Sequence, residues 1–133
     1  MSWLYSQSSG SLVDPTGTLQ GKGYSGQPPH TNVPADEGLE GLGPTPCGMW
    51  EVVAVIEDHP TLGPFVLVLR PDSATRTRVV ALGRDPDSFR CHGERLQPPP
   101  GYASDGCMIQ VRLVRELLWN SVDKWISVVP QLT

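Results

Sequence analysis

A chain of 133 residues can bury roughly two-thirds of the surface its unfolded form would expose, so a real core is within reach. Its 14 Gly and 14 Pro make up about a fifth of the residues, against roughly 12% in average usage, and favour a turn-rich β protein over a helical bundle. A net charge of −4 with no basic stripe disfavours a nucleic-acid backbone as partner, and no apolar run reaches the roughly 18 residues of a membrane span.

The first residues, Met1-Ser2-Trp3-Leu4-Tyr5-Ser6, have neither the basic start nor the apolar centre of a signal peptide. Up to about residue 26 the sequence is polar, with short β-like pieces at 3–5 and 18–20 separated by Ser8-Ser9-Gly10 and Asp14-Pro15-Thr16-Gly17. Such clusters mark turns and predict a meander of short antiparallel strands, with a disordered tail as the alternative. Residues 27–48 form a long Pro- and Gly-rich connection, a kind of segment often tied to function and so expected near the site.

The strongest strand signals are 50–57 and 65–69, and the second, apolar on both faces, is expected at the centre of a sheet. Residues 75–82 read as a third, more polar strand, and 88–93 as a fourth ending at His92-Gly93. Beyond Cys107, the apolar residues Val111, Val114, Leu117, Leu118 and Val122 recur at helical spacing, with Arg112, Arg115 and Glu116 on the other side. This predicts a helix from about 110 to 122, and 125–129 closes the chain as a strand. The expected whole is one domain over 1–133, mainly β, with one helix packed on the sheet.

Three cysteines, Cys47, Cys91 and Cys107, cannot all pair within one chain, and no C-x-x-C suggests a zinc site. No metal or cofactor is expected. His92 and Cys107 lie fifteen positions apart, and one loop reversal through a Pro-rich insert can bring thiol and imidazole together. Because the thiolate is the nucleophile and a free thiol is only a few per cent ionised at neutral pH, His92 is the natural base for Cys107. The imidazole's second nitrogen needs an acceptor, which the carbonyl of Gly93 could supply. The N–H groups of Gly106 and Cys107 are then possible oxyanion donors.

Against this stands the plain reading of Cys107 as a small buried hydrophobe and His92 as a hydrogen-bonded strand-end residue. Cys91 should face away from its neighbour His92 by strand alternation. Asp105 either orients a base or occupies a turn, and His30 and His59, next to prolines or in loops, are expected to be solvated. Tyr24, Ser25 and Asn32 are possible contacts for a peptide substrate.

His92-Gly93, the intervening loop and Ser104-Asp105-Gly106-Cys107 resemble the L,D-transpeptidase signature, in which His-Gly is followed at comparable spacing by Ser-X-Gly-Cys. The narrower resemblance is to the small L,D-transpeptidase-like effectors of type VI secretion. It rests on Trp3-x-Tyr5, Gly23-Tyr24-Ser25-Gly26, Asn32-Val33-Pro34, Gly43-Pro44-Thr45-Pro46-x-Gly48 and Trp119-Asn120-Ser121.

This resemblance, from about residue 3 to residue 129, implies a β-sandwich or mixed-sheet domain with one helix after the nucleophile. Cys107 would be the nucleophile, His92 the base and Gly93 its backbone partner. Ser104, Asp105 and Gly106 would shape the oxyanion turn, and Tyr24, Ser25 and Gly26 a substrate groove. The activity implied is L,D-carboxypeptidase trimming of peptidoglycan tetrapeptide stems or exchange of their last D-amino acid.

The same resemblance implies a toxin made in the producer cytoplasm without a signal peptide and acting in a rival's periplasm. A type VI carrier or spike and a periplasmic immunity protein would be its partners. Asp105 departs from the family, where a second histidine is common, and no arginine follows shortly after Cys107. The rival readings are a non-catalytic peptide-binding module and a cell-wall amidase or endopeptidase using the same pair. Enzymes of the latter kind commonly place cysteine before histidine.

Overall fold

The computed structural model describes residues 2–95 and 99–132, so part of the expected Pro-rich insert lies outside the described residues. Nine strands make one mixed sheet: β1 (Trp3–Ser6), β2 (Ser11–Val13), β3 (Leu19–Lys22), β4 (Tyr24–Ser25), β5 (Gly48–His59), β6 (Gly63–Pro71), β7 (Arg90–His92), β8 (Met108–Ile109) and β9 (Trp125–Val129). Two α-helices, α1 (Ser73–Ala81) and α2 (Arg112–Asn120), and a 3-10 turn at Pro34–Asp36 complete the elements.

Across the sheet the strands run β3-β2-β1-β9-β5-β6-β7-β8-β4. Its two outermost strands, β3 and β4, are separated in the chain by Gly23 alone. Edges one residue apart cannot belong to a flat sheet, so this one rolls until they meet. A Cβ on Gly23 would lie 1.6 Å from the Ile109 carbonyl oxygen, and one on Gly10 would lie 1.9 Å from that of Gly23. Only glycine allows the backbones to come this close.

The expected N-terminal meander is present as β1-β2-β3, with antiparallel pairing throughout. The long hairpin of β5 and β6 forms the middle, and β6 is flanked on both sides, with Phe65, Val66, Leu67 and Leu69 buried. Full burial of each such side chain contributes about 1.5–3 kcal/mol. Trp50 and Phe89 meet edge to face, ring centroids 4.9 Å apart, in the same core. Two pairings are parallel, β1 with β9 and β7 with β8, and the second carries the site.

Residues 75–82 are not a strand. They lie within and just beyond α1, whose N-cap Asp72 accepts from the Thr75 N–H at 2.9 Å and which stops at Gly83, where φ is +81°. The β-branched run Thr75-Arg-Thr-Arg-Val-Val alternates like a strand, but the cap and the stop outweigh that bias, and Thr75 and Val79, four apart, form the buried face. Among the described residues there are therefore two α-helices where sequence periodicity gave one.

In α2 the expected facing is also corrected. Val111, Leu117 and Val122 are exposed, whereas Arg115 is buried beside Val114 and Leu118. Replacing Gly23 by alanine forces the rolled edges apart, and overpacking of this kind costs about 1–3 kcal/mol or more. Thermal denaturation should show the Gly23→Ala protein unfolding several degrees below wild type.

Candidate functional site

The parallel pair β7–β8 sets Cys91 beside Met108 and His92 beside Ile109. Cys91 and Met108 point into the core, both fully buried, so alternation sends His92 and the residue just before Met108 to the opposite face. That residue is Cys107. Cys107 thus directly precedes β8, two residues before Ile109, the register partner of His92.

A polar scaffold holds the turn that presents Cys107. Ser104 Oγ donates to the Cys107 carbonyl at 2.6 Å and accepts from the N–H groups of Gly26 at 2.9 Å and Gly106 at 3.1 Å. The Gly106 carbonyl in turn accepts from the hydroxyls of Ser25 and Thr45. Ser25 Oγ also accepts from the Thr45 N–H at 2.8 Å. Gly106 has φ +129°, and a Cβ there would meet the Arg84 guanidinium at 2.1 Å.

Arg84, delivered by the end of α1, is itself buried. It donates to the carbonyls of Glu37 and Pro44, both at 2.8 Å, and of Asp105 at 3.3 Å, while its guanidinium lies 4.9 Å from the Phe89 ring centre. One cation thus ties the 34–47 loop to the nucleophile turn.

The other expected site residues are placed as follows. Ser25 and Gly26 are buried supports of the Cys107 turn and have no free face for a substrate. The Gly106 N–H is committed to Ser104, which leaves Gly106 to the turn and not to an oxyanion. Tyr24 donates to Glu94 at 2.7 Å and lines a separate small cavity with Glu94 and Gln110. Asp105 accepts from Gln27 Nε2 at 3.1 Å, and Asn32 Oδ1 accepts from the Ser25 N–H.

His30 forms an ion-pair contact with Asp36 at 2.8 Å, and His59 Nδ1 accepts from the N–H groups of Thr61 and Leu62 at the β5–β6 turn, so neither is merely solvated.

His92 is 1% exposed, and its Nδ1 lies 3.0 Å from the Gly93 carbonyl. A carbonyl can only accept, so Nδ1 carries the proton and Nε2 presents a lone pair. Burial pushes the imidazole below its ordinary value; the Gly93 hydrogen bond opposes this, and the charges of Arg95, Arg115 and His59 reinforce it. His92 is accordingly neutral at pH 7.

Burial pushes the Cys107 thiol up, against the Arg90 backbone N–H and the Arg90 and Arg84 cations, which pull it down. Its Sγ lies 3.9 Å from the Ser88 carbonyl and makes no hydrogen bond to His92 in this conformation. Cys91 is fully buried with its thiol pushed up to about 12 by burial, and Cys47 donates to Gln7 Oε1 at 3.2 Å with its own pushed up to about 11, also chiefly by burial. All three cysteines are free.

Cys107 opens into a cavity of about 390 Å³, lined on its acidic side by Glu40, Asp85 and Asp105 and also by Arg84. As expected, the 27–48 connection reaches it, through Glu40 and Gly41. Leu62, at the tip of the β5–β6 hairpin, also lines a second cavity of about 380 Å³ with Gly93, Arg95 and Arg115. A larger cavity, about 650 Å³, lies by Trp3 and Leu117 but contains no cysteine or histidine. Among the described residues no three His, Cys, Asp or Glu side chains are grouped to hold a metal ion, and no helix is long and apolar enough to cross a membrane.

Sequence reading missed Arg84, Thr45, Leu62 and the burial of Arg115. The Asp72 cap with Gly83 was the available signal for α1, and hence for the placement of Arg84 at its end.

With this geometry in view, the fold is similar to one solved by NMR, the catalytic domain from E. faecium L,D-transpeptidase acylated by ertapenem. The TM-score is 0.52 at 16% sequence identity, over 96% of this chain and 95% of that one. The mainly β, L,D-transpeptidase-like fold expected from the sequence is therefore the fold present. No protein-family model and no curated protein matches the chain.

Removing the Ser104 hydroxyl orphans two buried N–H donors and a carbonyl, and each buried orphan costs about 1–3 kcal/mol. Ser104→Ala should therefore lose about 2 kcal/mol or more of unfolding free energy in urea titration, while an exposed control such as Ser73→Ala should change little.

Proposed function

We propose that this protein is a cysteine enzyme of peptidoglycan, with 1–133 as one catalytic domain, and that it removes or exchanges the terminal D-alanine of tetrapeptide stems. The observation that supports the reading is a cavity-lining thiol, Cys107, one residue ahead of β8, with His92 on the paired strand β7 and its Nδ1 held by the Gly93 carbonyl so that Nε2 is free to accept a proton. The likeness of the fold to an L,D-transpeptidase catalytic domain supplies the substrate class.

In the first step Cys107 rotates toward His92, gives its proton to Nε2, and attacks the carbonyl of the diaminopimelate residue that precedes D-alanine. The C–N bond breaks, a thioester forms, and the proton on His92 passes to the departing amine. Water then attacks the thioester, giving up a proton through His92 as the C–S bond breaks, and releases a tripeptide and the thiol. A D-amino acid amine in place of water gives the exchanged stem.

The Cys107 N–H is the donor suited to the oxyanion, since that of Gly106 is occupied. The order His92 before Cys107 favours this chemistry over the amidase reading. The motifs shared with type VI effectors support delivery as an antibacterial toxin into a target periplasm, with a carrier or spike and an immunity protein as partners.

One observation favours a second reading, a peptide-binding module: the thiol is directed at Ser88 and not at His92. Muropeptide analysis after incubation with tetrapeptide-rich peptidoglycan separates the two. Tripeptide, or a stem carrying an added D-amino acid, should form with wild type and fall at least a thousandfold with Cys107→Ala or His92→Ala; a folded wild-type protein that leaves the profile unchanged establishes the binding module.

Ertapenem offers a second readout, because the similar catalytic domain was acylated by it. Peptide mapping should find the adduct on Cys107 and not on Cys47 or Cys91.

Since burial lowers the His92 pKa, the base stays neutral to lower pH than a free histidine does. Turnover should hold as pH falls to about 6.5, the ordinary histidine value, and be lost only below it as His92 protonates. An acid limb above that value in kcat/KM would contradict the assignment.

A further inference from the structure

Arg115 has no role in the chemistry above, yet it is 4% exposed. Among the described residues its guanidinium makes one hydrogen bond, from a terminal nitrogen to the Phe65 carbonyl at 3.3 Å, and its buried Nε has no partner. Among the described residues no carboxylate forms an ion pair with Arg115 or with Arg95. The residue also sits in the first turns of α2, where the helix dipole disfavours a cation.

A buried guanidinium with an orphaned donor is costly, and an anion is the group that would offset the cost.

The place for that anion is open. Arg115 lines the cavity of about 380 Å³ together with Thr61, Leu62, Gly93, Glu94 and Arg95. A Cβ on Gly93 would lie 3.1 and 3.3 Å from its two terminal nitrogens, so the guanidinium lies against the residue whose carbonyl orients His92. Glu94 also lines the cavity as a carboxylate, but its oxygens accept from Tyr24 and from the Gly101 and Arg95 N–H groups and it makes no ion pair with either arginine, so the cavity keeps two cations to one anion. The cavity on the Cys107 side is the reverse, with three carboxylates to one buried arginine.

Proton transfer decides which part of a substrate enters each cavity. His92 Nε2 must hand its proton to the departing amine, so the departing residue lies beside His92, whose neighbour Gly93 lines the cavity with Arg115 and Arg95. We propose that the Arg115–Arg95 cavity is the subsite for the α-carboxylate of the departing C-terminal amino acid and, in exchange, of the incoming one. A carboxylate suits the terminal nitrogens of Arg115, which lines the cavity, with Arg95 as the second cation. The inference rests on the proposed cysteine mechanism and makes the enzyme one that acts only at a chain end.

The test compares a synthetic tetrapeptide stem ending in free D-alanine with the same peptide ending in D-alanine carboxamide. Wild type should turn over the free acid with at least tenfold higher kcat/KM, mostly through KM. Arg95→Gln, a change at a half-buried position, should shrink that preference several-fold, and Arg115→Gln should abolish it. Arg115→Lys should restore part of it.

Equal turnover of acid and amide by wild type overturns the subsite and leaves the cysteine mechanism standing. Turnover of neither peptide by folded wild-type protein overturns the mechanism and the subsite with it. If Arg115→Gln does not fold, Arg95→Gln decides, and an undiminished acid preference in that variant counts against the proposal.

Discussion

Everything at the site depends on a short parallel ladder, two residues of β7 against two of β8. A single-residue slip of either strand would send Cys107 or His92 into the core and bring Cys91 or Met108 out. So short a ladder cannot hold its own register. What holds it is the burial of Cys91 and Met108 on one face and, beyond β8, the edge strand β4, whose Ser25 reaches back to the Gly106 carbonyl. The rolled sheet has a functional consequence here: bringing its two edges together at Gly23 places the β4 segment under the nucleophile turn.

The turn itself is assembled from polar groups that water could have satisfied in the unfolded chain, so its net contribution to stability is small. Its value is geometric. Ser104, Ser25, Thr45 and Arg84 use up the backbone groups around Gly106 and leave the Cys107 side chain facing the cavity. A fully satisfied network in a low-dielectric setting resists distortion, because any displacement leaves a buried donor or acceptor unpaired.

Much of this was legible in the chain. Strong β periodicity located β5, β6 and β9, and the His-Gly and Ser-x-Gly-Cys spacing picked out His92 and Cys107 without any knowledge of which strands pair. Residues 75–82 misled because alternating Thr, Arg and Val satisfy a strand pattern, while the evidence for a helix lies in one cap and one glycine outside the run. Ser25 and Gly26 are expected at a substrate groove from the family resemblance of Gly23-Tyr24-Ser25-Gly26; the burial of Ser25 follows from a pairing of β4 with β8 that joins residues more than eighty positions apart in the chain. Arg115 could not be found by pattern at all, since a charged residue on the buried face of a helix contradicts the amphipathic rule used to orient it.

The charges around the pair also determine its resting state. Burial raises the thiol and lowers the imidazole, so both shifts favour the neutral pair over thiolate and imidazolium. Cys107 directed at the Ser88 carbonyl is consistent with that: a thiol can donate to a carbonyl, whereas a thiolate would be repelled by it. Arg84 and Arg90 act on the sulfur while Arg95 and Arg115 act on the imidazole. The first two cations lower the cost of forming thiolate; the second two raise the cost of keeping the proton on His92 afterwards. A proton placed on Nε2 is thus held weakly, as the proposed transfer to a departing amine requires.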